Sequence, residues 1–134
     1  MGNSFVDFKE NGFWSWDGYL CDLLAVLATT RVNGLEPAWL TEAREHWRGE
    51  ASKGICGWIS PNLSEILNSE ERVQIFLGFI DAVKSRADLT SELTQSLELL
   101  GALLKGELAT NESSSTDYMV SGTFPYRGVT GTYP

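Results

Sequence analysis

Apolar side chains recur at helical spacing in four separate stretches, and this pattern constrains the fold more than any other feature of the chain. Spacings of three and four residues place side chains on one face of a helix, so each stretch predicts a helix with a buried stripe. Proline, hydroxyl and glycine signals mark the starts and ends. The sequence therefore predicts an all-α, single-domain bundle of four longer helices plus one short helix, over 16–31, 37–48, 61–67, 70–86 and 90–108.

The inward faces of these helices give a predicted core. We expect Ser69 and Thr90 to cap the last two helices, and Ser15 or Asp17 to cap the first. Residues 1–15 look irregular, with a turn at Asn11-Gly12. The predicted core consists of Leu20, Leu23, Leu27, Leu40, Trp47, Phe76, Leu77, Ile80, Leu93, Leu97 and Leu100.

The composition changes after the last helix, which divides the chain into a helical domain (1–108) and a C-terminal arm (109–134). Residues 111–116 are rich in Ser and Thr and read as a flexible linker. The aromatic residues that follow are not typical of a linker, and they either form a short β-hairpin around Ser121-Gly122 or lie in an extended arm. That arm packs on its own domain or on a partner through Tyr118, Phe124, Tyr126 and Tyr133.

The net charge of −8 argues against nucleic-acid binding, which needs a basic surface to neutralise phosphates. It suits a soluble protein, and any macromolecular partner is expected to be basic. Cys21 and Cys56 are too few for a disulfide framework, so reduced thiols in a cytoplasm are expected. The N-terminus shows no signal peptide, and no apolar run is long enough to predict a membrane span.

A metal site is a natural hypothesis because Glu42, Glu45 and His46 share a predicted helix. Zinc motifs on helices need two histidines, and di-iron bundles need two Glu-x-x-His pairs. His46 is the single histidine of the chain, so we expect neither a metal nor another cofactor.

The stretch from 44 to 60 is the candidate pocket. It holds the one local concentration of basic residues, followed by glycines and the helix start at Ser60, which together can hold an anion. A Cys56–His46 nucleophile pair is an alternative, although the flanking Ile55 and Trp58 favour a buried, inert thiol. Surface arginines paired with glutamates are the simplest interpretation. The candidate residues are Arg44, His46, Arg48, Lys53 and Cys56.

Carboxylates dominate the end of the helical domain, where Lys105 is the single basic residue between 88 and 117. This region is either a solvated helix face or a surface that steers a basic partner, with Glu92 and Glu98 as candidate contacts. The carboxylates are Asp88, Glu92, Glu98, Glu107, Glu112 and Asp117.

These features favour a non-enzymatic protein that binds a protein partner. Many bacterial immunity and antitoxin proteins are small, acidic and helical, and they neutralise a basic toxin by occluding its site; this is an analogy of size, charge and fold class. Two alternatives are a small enzyme or anion binder that uses residues 44–60, and an adaptor that forms a homodimer through its C-terminal arm.

Overall fold

The computed structural model describes residues 3–9, 11–32, 34–53, 59–107 and 124–127. Five helices and a small sheet make up this part of the chain, so the predicted mostly helical character is confirmed, while the bundle arrangement stays a prediction. The elements are β1 (Asn3–Phe8), β2 (Asn11–Trp16), α1 (Asp17–Thr29), α2 (Ala38–Ala51), α3 (Leu63–Ile66), α4 (Glu70–Lys84), α5 (Ser91–Lys105) and β3 (Phe124–Arg127).

The N-terminal segment is a β-hairpin, so the prediction of an irregular segment with a turn at Asn11-Gly12 was wrong. β1 and β2 pair antiparallel with Phe8 opposite Asn11, and Lys9, at φ 57°, lies in the turn. Alternate residues of a strand face the same side, and here Val6, Phe8 and Phe13 are buried. Burying these three side chains against the helices favours the hairpin over an irregular segment.

Gly12 lies in β2 opposite Asp7, at a position where no larger residue fits. A Cβ atom there would lie 2.5 Å from Cζ of Phe5 and 2.6 Å from the carbonyl oxygen of Val6. The Phe5 ring, whose centroid is 5.1 Å from that of Trp14, therefore covers the glycine. Glycine is required here for close approach within a strand and not for a turn.

β3 pairs antiparallel with the free edge of β2, which gives the sheet order β1-β2-β3. Its register sets Phe124 opposite Trp14 and Tyr126 opposite Gly12. Pro125 lies on this outer strand, where a residue without an N–H group is tolerated. The predicted hairpin turn at Ser121-Gly122 lies outside the described residues, and the strand that β3 joins belongs to the N-terminal hairpin.

Helix α1 packs against α2, α4, α5 and both strands of the hairpin. Its buried side chains lie on more than one side of the helix; they are Asp17, Leu20, Leu23, Leu24, Leu27 and Ala28. The start of α4 and the end of α5 line one cavity, which indicates that these two helices run antiparallel.

The helix ends follow local capping chemistry in two of three predicted places. The hydroxyl of Ser69 accepts from Arg72 N, and that of Thr90 accepts from Leu93 N, as predicted. At α1 the prediction was wrong: Trp16 occupies the N-cap position and makes no side-chain cap. Asp17 is the first helical residue, and its carboxyl group turns inward to another partner.

That partner is Ser4 of β1, whose Oγ donates a hydrogen bond of 2.7 Å to Oδ1 of Asp17. The same hydroxyl accepts a 3.2 Å bond from the backbone N–H of Ile59, where the chain returns to the core. Asp17 is fully buried, and its position in the first turn of α1 is favourable for a carboxylate. Two side chains thus join the hairpin, α1 and residue 59 at one point.

Nine of the predicted core residues are buried, whereas Leu77 and Leu93 are half-buried and pack against the core from its edge. The remaining core residues come from the hairpin, from all four longer helices and from residues 59–67. Among the described residues, no helix has both the length and the apolar character needed to cross a membrane.

We expect Gly12→Ala to lower the free energy of unfolding by about 1–3 kcal/mol, because Phe5 and the Val6 carbonyl must move. Gly18 in α1 is the matched control, since a Cβ there meets nothing within 4 Å. Gly18→Ala should raise stability by up to about 1 kcal/mol through helix propensity. Urea unfolding of both variants makes the comparison, and a shift in the same direction for both would contradict the close packing at Gly12.

Candidate functional site

The basic residues of the 44–60 region lie on α2 and just after it, and each described cation there pairs with a glutamate. Nη2 of Arg44 lies 2.7 Å from Oε1 of Glu36. Arg48 pairs with Glu45 on the preceding turn of α2, and Lys53 pairs with Glu50. Cys56, the remaining candidate, lies outside the described residues. The structure therefore does not gather these cations around a single point.

Arg44 connects α2 to α4. Its side chain is only 12% exposed, and its guanidinium lies 5.1 Å from the centroid of the Phe79 ring. Although Nη2 is close to Glu36, neither it nor Nε makes an aligned hydrogen bond within the described part of the chain. Stacking on an aromatic ring is a favourable environment for a guanidinium. Arg44 thus has a packing role between two helices.

His46 and Glu50 hold the backbone of Ser60 from both sides. Nε2 of His46 lies 3.0 Å from the Ser60 carbonyl oxygen, and Oε1 of Glu50 accepts a 2.7 Å bond from Ser60 N. A carbonyl oxygen only accepts, so Nε2 of His46 donates. Residues four apart share one face of a helix, which explains why both side chains reach the backbone of the same residue. Nε1 of Trp47 adds a 3.0 Å bond to the carbonyl oxygen of Pro61.

Glu50 was missed by sequence reasoning, although its position one turn after His46 was a usable signal. Burial opposes ionisation of Glu50, but hydrogen bonds from Lys53 and Ser60 N, with the charges of Lys53 and His46, lower its pKa below the ordinary value. The glutamate is therefore an anion at neutral pH and anchors the returning chain. This arrangement explains His46 as a structural residue.

A groove of about 260 Å³ lies beside His46, between α2, α3 and the start of α4. The guanidinium group in this groove is that of Arg72. It lies 5.1 Å from the Trp39 ring centroid and donates a 3.0 Å hydrogen bond to the Ile66 carbonyl oxygen. The carboxylates of Glu42 and Glu65 also line the groove. The guanidinium of Arg72 is thus already engaged by the protein itself, and hydrogen-bond acceptors dominate the other polar groups that line the groove.

No cluster of three or more His, Cys, Asp or Glu side chains suited to a metal ion occurs among the described residues. Glu45 turns away to pair with Arg48, whereas Glu42 and His46 line the same groove and His46 holds Ser60. Cys21, the cysteine that the structure describes, is half-buried on α1.

One carboxylate of the acidic region around α5, that of Asp88, forms an ion pair within the chain. Arg86 donates to both carboxylate oxygens of Asp88, at 2.9 and 2.7 Å. This pairing lowers the pKa of Asp88 and raises that of Arg86. Arg86 also donates a 3.0 Å hydrogen bond to Oγ1 of Thr30, so it joins the loop between α4 and α5 to the end of α1.

Glu92 and Glu98 remain available on α5. Glu98 is exposed, Glu92 is half-buried, and neither forms an ion pair within the described ranges. Glu107 is also exposed, just after the helix. Glu112 and Asp117 lie outside the described residues. We define Glu92, Glu98 and Glu107 as the acidic α5 surface.

The aromatic candidates of the C-terminal arm divide into two pairs. Phe124 and Tyr126 lie on β3, whose backbone pairs with β2 of the same chain. Tyr118 and Tyr133 lie outside the described residues. The described part of the arm therefore belongs to the sheet of its own molecule.

No protein-family model, curated protein or solved structure matches the chain.

We expect Glu50→Gln to lower the free energy of unfolding by about 1 kcal/mol at pH 7, because the ion pair with Lys53 is lost while an acceptor for Ser60 N remains. The folded-state pKa of Glu50 is lowered, so its stabilisation is complete above the unfolded-state value and is lost as pH falls through the folded value. The difference between wild type and variant should therefore shrink from about pH 6 to about pH 3. Lys53→Met should reduce the same pH dependence, and a difference that is constant with pH would contradict the assignment.

Proposed function

We propose that this protein acts by binding a protein partner with a basic surface and performs no catalysis of its own. The specific form we favour is inhibition by occlusion, as in immunity and antitoxin proteins. The contact region we assign to the partner is the acidic α5 surface.

The observation that carries this proposal is which charged side chains form ion pairs within the chain and which do not. Four cations, Arg44, Arg48, Lys53 and Arg86, are held in ion pairs within the chain. The acidic α5 surface has no such pairing within the described residues, in a chain of net charge −8. The three carboxylates of the acidic α5 surface therefore add unpaired negative charge to the field that an approaching molecule meets. Such a field accelerates association with a basic partner and disfavours acidic ones.

The pairing of the cations also weighs against an anion site in the 44–60 region. An anion there would compete with Glu36, Glu45 and Glu50 for their basic partners. It would meet an unfavourable field from these carboxylates as well. The α2 cations are better explained by packing and by anchoring of Ser60 than by ligand binding.

We assign the partner to the helical body rather than to the C-terminal arm. The backbone of β3 already has a hydrogen-bonding partner in β2. Partner binding through residues 124–127 would require this pairing to be replaced or extended.

The test is affinity capture from the native host, followed by kinetics with the captured partner. We expect a stoichiometric protein partner whose association rate constant falls at least about tenfold between 0.05 and 0.5 M salt. Glu92→Gln/Glu98→Gln should lower that rate constant several-fold, because two charges of the contact surface are removed.

The matched control is Glu42→Gln/Glu71→Gln, which removes the same charge from exposed positions on α2 and α4. This control should have a much smaller effect. Capture of no stoichiometric protein, an association rate independent of salt, or equal effects of the two double variants would each contradict the proposal.

A further inference from the structure

An apolar groove of about 460 Å³ lies between the α1–α2 connection and the outer face of α4. It is on a different part of the molecule from the acidic α5 surface. The residues that give it its apolar character are Val32, Pro37, Leu40, Ile75, Phe79 and Ala82.

Leu35 and Gly78 give this groove a protrusion and a gap. Leu35 lines the groove, yet its side chain is 101% exposed, and it follows Gly34 at a left-handed φ of 96°. Gly78 lies in the middle of α4, is exposed, and a Cβ there would meet nothing within 4 Å. Glycine has no side chain, so α4 presents a shallow gap at this position, where an incoming side chain can approach the backbone. The protruding leucine and the gap that could receive one lie on the same face.

Two opposite charges border the same groove. Arg31 is exposed and lines it, and Asp81 is exposed on α4 one turn after Gly78. Neither forms an ion pair within the described residues. This face therefore carries both signs in an otherwise acidic protein, so a second copy meets less repulsion here than on the acidic α5 surface.

We propose that the groove is occupied by a second copy of this chain, in a two-fold symmetric dimer. In an isologous interface each surface feature contacts its complement on the other subunit, so one face must carry both members of each pair. This face does: Leu35 of each copy enters the gap at Gly78 of the other, and Arg31 faces Asp81 across the interface. Ten residues line the groove, compared with about 20–30 per partner in a standard stable interface, so the dimer is weak and reversible, with a Kd of about 10 µM or above.

Sedimentation equilibrium of the full chain, from about 5 µM to about 1 mM, tests the proposal. Wild type should show a reversible monomer–dimer equilibrium. Leu35→Glu should raise the dimer Kd at least about 100-fold, because each dimer loses two apolar contacts and gains two buried charges. Ala25→Glu is the control: it adds the same charge at an exposed position of α1 and should leave the Kd within about threefold of wild type.

Gly78→Gln fills the gap with a better helix former, so it should weaken the dimer at least about tenfold while the folded monomer becomes more stable. Loss of the dimer in this variant therefore does not reflect unfolding. Arg31→Asp and Asp81→Arg should each weaken association, and the two together should restore it, because opposite charges again face each other across the interface.

Three outcomes would overturn the proposal. The chain remains monomeric across the whole concentration range, or a dimer persists unchanged in Leu35→Glu and Gly78→Gln. The third is a monomeric chain that binds a different protein, with that binding lost in Leu35→Glu; the groove would then belong to that protein. None of these outcomes bears on the acidic α5 surface, whose test uses other residues.

Discussion

The structure depends on one buried carboxyl group at the point where strand becomes helix. Asp17 follows the last residue of β2 and begins α1, and burial of such a group is costly unless it is hydrogen-bonded. Ser4 supplies a 2.7 Å hydrogen bond and in turn accepts from Ile59 N. This polar connection, together with the apolar packing around it, fixes the hairpin, the helix that contacts most other elements, and the chain that returns after α2 relative to one another.

The helical part of this fold could be predicted because its signals are local. Ser69 and Thr90 cap their helices as the sequence indicates, and the leucines at helical spacing in α1 and α5 are largely buried. The hairpin could not be predicted in the same way. Gly12 reads as a turn residue after Asn11, whereas it occupies a strand because the Phe5 ring covers it, and that contact exists only after the two strands have paired.

The candidate site illustrates the same difference. The sequence correctly placed Arg44, His46 and Arg48 on one helix, but shared helix membership does not determine which way each side chain points. Arg44 turns to Glu36 and Phe79, whereas His46 turns to Ser60, a residue fourteen positions later. The surface charge is a different matter, because its excess follows from composition alone. The structure adds which carboxylates are already paired and which face solvent without a partner in the described chain.

The hairpin and the helices form one cooperative unit through Asp17, and a double-mutant cycle tests this coupling directly. Unfolding free energies are measured for wild type, Ser4→Ala, Asp17→Ala and the double variant. Each single change should cost about 1–3 kcal/mol, and the double variant should cost at least about 1 kcal/mol less than their sum, because either change already breaks the shared bond. Additive costs, or a hairpin that unfolds in a separate transition from the helices, would contradict the claim.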